Sequence, residues 1–242
     1  WSTHYTDKFI MDRNFGAASA TRADGLAKTR GLYYQFGRKD PFPAASVQLY
    51  NVSGATVTAF TATPSDCIVR VEGRTAIKVA VQYPYNFYAP GSDGGDWVSD
   101  NPYGDLWNNP AWHSSTTKSF FDPCPPGWRL PVNGAWDTFA LPGTNTSNAA
   151  NYPSDYRLGN VQAGWEFYMS GFSGETAFYP APGIRNSTTG AMSNERSVDY
   201  TWAATLNSNA KQGRTLHFYA DGVYPQYAIH RGSGCPVRCI QE

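Results

Sequence analysis

Short runs in which apolar and polar residues alternate are the main pattern of this chain, and such runs predict half-buried strands. In the second half of the chain they cover residues 164–170, 176–179, 200–206, 214–219 and 235–241. Within 214–219, Leu216 and Phe218 lie on one face of the predicted strand. Thr215, His217 and Tyr219 lie on the other face. Strands separated by turns are therefore expected to dominate the carboxy-terminal half.

Helical spacing is confined to short stretches. Apolar residues recur at this spacing within 74–83, and Pro84 ends the predicted helix. Asn133 is a candidate cap for a second short helix that extends to Phe139. The sequence thus predicts two short helices among many strands.

The central part of the chain combines a strand-rich insertion near 46–72 with a long polar and aromatic loop near 86–119. Loops of this length are uncommon in compact domains and are often functional. A length of 242 residues fits one large domain, and no fixed-period repeat divides it. We therefore expect residues 1–242 to form a single domain that carries these two segments as additions. Because the chain starts at Trp1 rather than methionine, we also expect a processed product or a fragment.

The most rigid stretch of the sequence is 121–131, in which four of the eleven residues are proline. Proline fixes φ and removes a backbone donor, so this stretch is neither a helix nor a central strand. It predicts an extended crossing over a core, with Trp128 in that core and Arg129 bonded to backbone carbonyls. The other tryptophans that we assign to the core are Trp136, Trp165 and Trp202.

Composition narrows the classes of partner. Nineteen basic and nineteen acidic residues cancel, and charged residues make up only 16% of the chain. No basic stripe is present, so nucleic acid and anionic membrane are poor candidates, and no apolar stretch is long enough for membrane insertion. Aromatic residues reach 15%, with 16 tyrosines and 8 tryptophans. This composition fits a loop-rich extracellular domain, and the excess of Tyr and Trp suits a recognition surface.

The four cysteines, Cys67, Cys124, Cys235 and Cys239, allow three full pairings. No CxxC pair occurs and the histidines are scattered, so the spacing is not that of a zinc site. Cys235 and Cys239 fall in one predicted strand about 13 Å apart, beyond the roughly 7 Å that a disulfide spans between Cα atoms. We prefer a bridge between Cys124 and Cys239, and the alternative is four buried reduced thiols.

Six segments, in order along the chain, resemble the motifs of one bacterial family. DPCPPGWRLP at 122–131 is similar to the family's DPCPxGWRVP, and LYYQFGRKDPFP at 32–43 is similar to YYQWGRKDPFP. The other four segments are DRNFGA at 12–17, YPAPGIR at 179–185, YTWAAT at 200–205 and RGSGCPVRCI at 231–240. On these motifs the chain resembles the FISUMP, or major paralogous domain, family of bacterial surface proteins.

The resemblance implies a C-type-lectin-like fold, which is a mixed α+β domain with two short helices, antiparallel strands, long loops and adjacent N- and C-terminal strands. It also implies a bacterial cell-surface location. Such domains occur at the ends of surface lipoproteins and as carboxy-terminal domains of fimbrial tip proteins in gut bacteria. A related group is the variable proteins of diversity-generating retroelements. Their altered residues lie between the motifs that resemble 200–205 and 231–240, an interval that here includes 223–230.

The candidate ligand-binding residues lie late in the chain and in the long loop, and a glycan or a protein is the expected ligand. The late residues, in or near predicted turns, are Tyr219, Tyr224, Gln226, Tyr227 and His230. Aromatic rings flanked by Asp and Asn in the long loop suit both sugar stacking and protein contacts. The rings chosen there are Trp97 and Trp107, followed by Tyr103 and Trp112.

No cofactor is expected, and calcium is possible but has no motif to support it. Animal lectins of this fold bind calcium through Glu-Pro-Asn or Gln-Pro-Asp and Trp-Asn-Asp triplets, none of which occurs in this chain. Trp107-Asn108-Asn109 is similar but lacks the carboxylate. Calcium takes six to eight oxygen ligands. The long loop offers Asp93, Asp96, Asp100 and Asp105, which we interpret as solvated.

The residue sets that catalysis requires are missing, so we expect no enzyme. Neither HExxH nor GxSxG occurs. A carboxylate pair for glycoside hydrolysis is defined by the distance between its two carboxyl groups, which a sequence does not give. The only candidates that we name for such a pair are Glu166 and Glu175. Formylglycine-generating oxidases share the fold and use a reactive cysteine pair, but Cys235 and Cys239 lie in a pattern that resembles the non-enzymatic family.

Three hypotheses follow from these observations. The first is a non-catalytic adhesion or binding domain that engages a glycan or protein through loops in the carboxy-terminal half. The second is a retroelement-diversified variable protein, which a template repeat and a reverse transcriptase beside the coding region would identify. The third is a fimbrial tip or assembly module whose loops bind fimbrial subunits and which has a further domain before Trp1.

Overall fold

Short strands form most of the ordered structure in the computed structural model, which describes residues 9–42, 49–50, 56–57, 68–70, 75–84, 86–89, 95–98, 105–107, 118–140, 164–168, 175–208, 211–220 and 222–242. The two helices of these residues are α1 (Leu26–Thr29) and α2 (Thr75–Gln82). The strands are β1 (Tyr33–Gln35), β2 (Leu49–Tyr50), β3 (Thr56–Val57), β4 (Ile68–Arg70), β5 (Phe87–Ala89), β6 (Trp128–Arg129), β7 (Gly164–Tyr168), β8 (Thr176–Pro180), β9 (Ile184–Arg185), β10 (Met192–Ser193), β11 (Val198–Leu206), β12 (Gln212–Tyr219), β13 (Gly222–His230), β14 (Gly234–Pro236) and β15 (Ile240–Gln241). The architecture is mixed α+β, as the sequence predicted.

The longest strands, β11, β12 and β13, form an antiparallel three-stranded sheet that we call the central sheet. A second sheet has the order β1-β14-β9-β10, and the remaining strands form pairs. Among the described strands only β4 and β5 pair in parallel. Trp202 of β11 donates its indole N–H to the carbonyl of Tyr34 at 2.8 Å, which fixes β11 of the central sheet against β1 of the second sheet.

The two ends of the described chain lie side by side, as expected from the resemblance. Ile10 and Ile240 form an antiparallel bridge. The backbone N–H of Met11 donates to the carbonyl of Cys239 at 2.9 Å, and that of Gln241 donates to the carbonyl of Phe9 at 2.8 Å. These hydrogen bonds connect residues more than two hundred positions apart, so the amino-terminal segment is held by the end of the chain.

The proline-rich crossing is held to the carboxy terminus by a covalent bond and by strand pairing. Cys124 forms the preferred disulfide with Cys239, with 5.9 Å between their Cα atoms, and β6 pairs with β15. Cys235 is a buried free thiol, and Cys67 lies outside the described residues. Because prolines supply carbonyls without N–H groups, the crossing has surplus acceptors. Lys118 satisfies three of them by donating to the carbonyls of Cys124, of Pro125 at 2.8 Å and of Trp128 at 2.7 Å.

Two hydrophobic cores lie against the central sheet. The first contains Leu216 and Phe218, the pair that the alternation of residues 214–219 placed on one face. It also contains Trp136 and Trp165. The second core surrounds Trp202, and Trp128 packs against it while remaining partly exposed. The predicted core positions of Trp136, Trp165 and Trp202 are confirmed, since each has 0% of its surface exposed.

The helix predictions are half correct. Helix α2 occupies the stretch predicted for 74–83. The second predicted helix is reduced to a 3₁₀ turn at Asp137–Phe139, and Asn133 caps nothing. Gly134 has a φ of 93°, a left-handed value that cannot continue a right-handed helix. The Asn133 side chain instead donates to Oε1 of Gln226 at 2.9 Å. No helix in the described residues is long and apolar enough to cross a membrane.

Candidate functional site

Five aromatic side chains from the three strands of the central sheet form one continuous group, which we call the aromatic surface. Its members are Tyr200 of β11, His217 and Tyr219 of β12, and Tyr224 and Tyr227 of β13. His217 lies at the centre. Its ring stacks on Tyr200 with centroids 4.2 Å apart and an 11° angle between the planes, and the centroid of Tyr227 is 4.7 Å away. Each of the five rings therefore touches at least one other member.

A register shift places two tyrosines of β13 on the same side. Residues three apart on a regular strand point to opposite faces, which would separate Tyr224 from Tyr227. Here Tyr224 lies opposite His217 and Tyr227 lies opposite Thr215, so three steps on β13 match two on β12. This is the count of a β-bulge. Pro225 lies within this irregular stretch. Because proline has no backbone N–H, its position there removes no hydrogen bond from the pairing of β12 with β13.

Exposure increases outward from the centre of the aromatic surface. His217 is only 6% exposed, whereas Tyr227 is 41% exposed. Tyr219 and Tyr224 are half-buried and their hydroxyl oxygens lie 2.9 Å apart, within hydrogen-bond distance. Aromatic rings held this way present flat apolar area with polar groups at the edge. A ligand can therefore meet both a stacking face and hydroxyl groups.

The aromatic surface is uncharged at neutral pH. Nδ1 of His217 lies 2.8 Å from the backbone carbonyl of Asp199, so Nδ1 carries the proton and donates to that oxygen. Burial lowers the pKa of His217 and thereby favours its neutral form. Burial also raises the pKa of Tyr200 to about 12, and the hydrogen bond with Tyr219 raises the pKa of Tyr224. Recognition here consequently depends on stacking and hydrogen bonding rather than on ion pairs.

Replacement of His217 by asparagine is expected to make the stability of the protein less sensitive to mild acid. The pKa of His217 is depressed in the folded chain, so below about pH 6.5 the unfolded chain takes up a proton that the folded chain does not. The free energy of unfolding of the native protein should therefore fall as the pH drops below that value. Urea unfolding followed by tryptophan fluorescence at several values between about pH 6.5 and about pH 5.5 measures this slope. An equal slope in His217→Asn and native protein would show that His217 is not the titrating group.

Two predicted site residues on β13 lie outside the aromatic surface. Gln226 donates from Nε2 to Asp137 at 2.8 Å and accepts from Asn133, so its amide fastens β13 to the 3₁₀ turn. His230 is exposed, but it pairs with Gln212 at the far end of β13 from Tyr224. The structure thus brings together Tyr219, Tyr224 and Tyr227 from the predicted set and separates these two residues from them.

The two predicted tryptophans of the long loop are core residues, so their assignment as exposed binding residues is wrong. Trp97 and Trp107 are each 2% exposed. Trp97 donates its indole N–H to the carbonyl of Phe36 at 2.8 Å, and Trp107 donates to that of Phe121 at 3.0 Å. With their N–H groups satisfied by backbone and their rings packed, neither can stack on a ligand. Tyr103 and Trp112 lie outside the described residues.

Residues 223–230, which lie in the interval where the resemblance places the altered residues, form a strand and not one of the expected binding loops. They belong to β13, and their burial follows the strand pattern, with Val223, Pro225 and Ile229 buried. The apolar members fill the cores, and the pairing with β12 accounts for the backbone. Recognition by this segment is therefore limited to side chains on the outer face of a sheet.

Tyr200 and His217 are members of the aromatic surface that the sequence-based site did not include. The available signal was the alternation within 214–219, which placed His217 and Tyr219 on one face. Tyr200 had no such signal, because its position beside His217 follows from the pairing of β11 with β12. Strand pairing between segments distant in sequence was needed to find it.

The acidic residues of the long loop do not form a metal site within the described part of the chain. The expectation that Asp96 is solvated is wrong, because Asp96 is buried in an ion pair with Arg231 and its Oδ1 accepts from the backbone N–H of Val98 at 3.0 Å. Asp105 lies in a 3₁₀ turn, and Asp93 and Asp100 lie outside the described residues. Among the described residues, no group of three His, Cys, Asp or Glu side chains is arranged to hold a metal ion.

The two glutamates considered for catalysis lie together. Glu166 is on β7, and Glu175 directly precedes β8. Both line one cavity, which shares no residue with the aromatic surface. They belong to a cavity beside the hairpin of β7 and β8 and not to the aromatic surface.

The fold and the site together define a disulfide-linked α+β domain that presents an uncharged aromatic surface on one face of its central sheet. No family model, curated protein or solved structure matches this chain in the three comparisons made with it.

Proposed function

We propose that this chain is a non-catalytic extracellular binding domain that recognises a glycan or a protein through the aromatic surface. One observation carries the proposal, which is that five contacting aromatic rings from three adjacent strands form a partly exposed group at the protein surface. Rigid rings with polar tips bind at a low cost in conformational entropy. The surface is thus preorganised for a ligand.

A neutral glycan is the favoured ligand. Sugar rings present C–H faces that stack on aromatic side chains and hydroxyls that exchange hydrogen bonds with tyrosine. Tyr227 offers the most exposed ring, and the neighbouring hydroxyls of Tyr219 and Tyr224 offer donors and acceptors. The uncharged state of His217 and the tyrosines removes the attraction that would select an ionic ligand.

The same proposal places the fold in the C-type-lectin-like class and the chain in the FISUMP family of bacterial surface proteins. Two features support this assignment: adjacent chain ends, and a proline-rich crossing joined to the carboxy terminus. The disulfide between Cys124 and Cys239 is compatible with an oxidising location outside the cell. These features together favour a cell-surface adhesion domain.

Glycan-array binding is expected to be lost when Tyr224 and Tyr227 are both replaced by alanine. The double variant removes the exposed ring of Tyr227 and one of the two neighbouring hydroxyl groups. Because both ring stacking and a hydrogen bond are lost, the affinity for the glycan is expected to fall at least about tenfold. Tyr83→Ala is the matched control, because Tyr83 is 38% exposed and follows α2 rather than lying on the central sheet. The control should bind as the native protein does.

Three outcomes separate the competing functions. Retained binding by the double variant would remove the aromatic surface from the site. Binding to host proteins but to no glycan, with the same sensitivity to the tyrosines, would assign a protein ligand. Co-purification with fimbrial subunits through the same residues would favour an assembly module over an adhesion domain.

A further inference from the structure

A cavity of about 610 Å³ lies between the amino-terminal segment and the hairpin of β7 and β8. Its size falls within the roughly 300–1,000 Å³ of small-molecule sites. The apolar residues that line it are Phe9, Ile10, Ala20, Ala23, Ala177 and Phe178. Nothing in the proposed glycan recognition uses this cavity, since none of its lining residues belongs to the aromatic surface.

The charged side chains of the cavity leave an excess of negative charge. Asp12, Glu166 and Glu175 line it, and Arg22 is the basic lining residue. A hydrogen bond from Arg13, 2.7 Å long, holds the pKa of Asp12 below its usual value and offsets its charge. The carboxylates of Glu166 and Glu175 have no ion-pair partner within the part of the chain that the structure describes.

The hairpin register puts acidic and apolar groups side by side. Glu166 of β7 lies directly opposite Phe178 of β8, so both side chains project from the same face. Glu175 directly precedes β8, Thr176 is the first residue of β8, and both line the same cavity. A ligand that fills the cavity therefore meets carboxylate oxygens next to an apolar wall.

We propose that this cavity binds an ammonium group carried on an aliphatic stem, as in a free alkylamine or the lysine side chain of a partner protein. The ammonium forms charge-assisted hydrogen bonds with Glu166 and Glu175. The methylene groups of the stem pack on Ile10, Ala177 and Phe178, as lysine stems commonly do on apolar surfaces. An anionic or purely apolar ligand would bring no positive charge to a cavity that is lined by three carboxylates and one guanidinium group.

Titration of the whole ¹⁵N-labelled chain tests the proposal by following amide chemical shifts. The probes are 1,5-diaminopentane and Nα-acetyl-lysine N-methylamide, and Nα-acetyl-norleucine N-methylamide is the neutral control of matched length. The cationic probes are expected to shift the amides of Thr176 and Ala177 saturably, and the norleucine compound is not. Glu166→Gln and Glu175→Gln are each expected to weaken the cationic probes about tenfold, the loss of one charge-assisted hydrogen bond. Glu242→Gln, an exposed carboxylate that does not line the cavity, should leave affinity unchanged.

The outcomes distinguish the source of the ammonium and the failure of the idea. Tighter binding of the lysine compound than of the diamine assigns a protein side chain, and the reverse assigns a free amine. Absence of saturable shifts with either cationic probe, equal binding of the norleucine compound, or native affinity in both glutamine variants would overturn the proposal. Tyr224→Ala combined with Tyr227→Ala should keep cationic binding intact, so failure of glycan recognition does not affect this test.

Discussion

Replacing both Cys124 and Cys239 by alanine is expected to lower the free energy of unfolding by about 4–5 kcal/mol, because their disulfide closes a loop with a sequence separation of 115 residues. On the chain-entropy model, a cross-link over so long a loop removes much of the freedom of the unfolded chain. The effect should be visible as a fall in the urea midpoint measured by tryptophan fluorescence. The native protein with reductant should unfold at a similarly reduced urea concentration.

Cys235→Ala is the control for loss of a buried cysteine, since Cys235 is fully buried and forms no disulfide. Its cost is expected to be about 1 kcal/mol, the typical effect of a single substitution. A double variant at Cys124 and Cys239 that unfolds at the native urea midpoint would show that the hydrogen bonds at the chain ends suffice to hold the crossing. The bridge would then be dispensable for stability.

Arg231→Met is expected to lower the free energy of unfolding by about 3–5 kcal/mol, because it leaves the Asp96 carboxylate buried without its counter-charge. Both side chains of this ion pair are 2% exposed. Arg231 also donates to the carbonyl of Val98 at 3.1 Å, so the pair fastens residues 95–98 to the end of β13. Removing both charges with Asp96→Asn and Arg231→Met should cost less than the sum of the two single changes.

The control for this cycle is Arg13→Met, which breaks an exposed ion pair with Asp12. Water screens that pair, so the change should be much smaller than at Arg231. Urea unfolding of the four proteins of the cycle and of the control gives the coupling energy between Asp96 and Arg231. Strict additivity of the two single variants would mean that the two charges do not stabilise each other.

Several strands of the carboxy-terminal half were predictable because alternation is a local property of the sequence, whereas β9, β10 and β13 were not predicted. The structure has strands at four of the five predicted runs and divides the fifth into β14 and β15. The prediction for Asn133 failed for an equally local reason, since the glycine that follows it adopts a left-handed backbone conformation. Where an element ends, and whether a residue caps it, depends on single residues. The contacts of such a residue in the folded protein decide whether it acts as a cap.

Burial of the long-loop tryptophans was not predictable from their polar surroundings in sequence. Trp97 and Trp107 are flanked by Asp, Asn and Gly, which usually indicate exposed loops. In the folded protein the carbonyls of Phe36 and Phe121 accept their indole N–H groups. Such acceptors come from other segments, so a local pattern does not reveal them.

The sequence by itself predicted the alternating runs that form strands and the rigid proline-rich crossing. The bridge between Cys124 and Cys239 was a preference among open alternatives, and the structure confirmed it. Alternation and proline geometry are local properties, so they can be read without the fold, whereas the reach of a disulfide excluded only a bridge between Cys235 and Cys239. The tertiary structure alone decided which aromatic side chains reach the surface. Tyr200 and His217 meet through strand pairing, and the shifted register of β12 and β13 brings Tyr224 and Tyr227 to one side. Whether a ring is exposed depends on the residues that pack over it, and those residues come from segments that only the complete fold brings together.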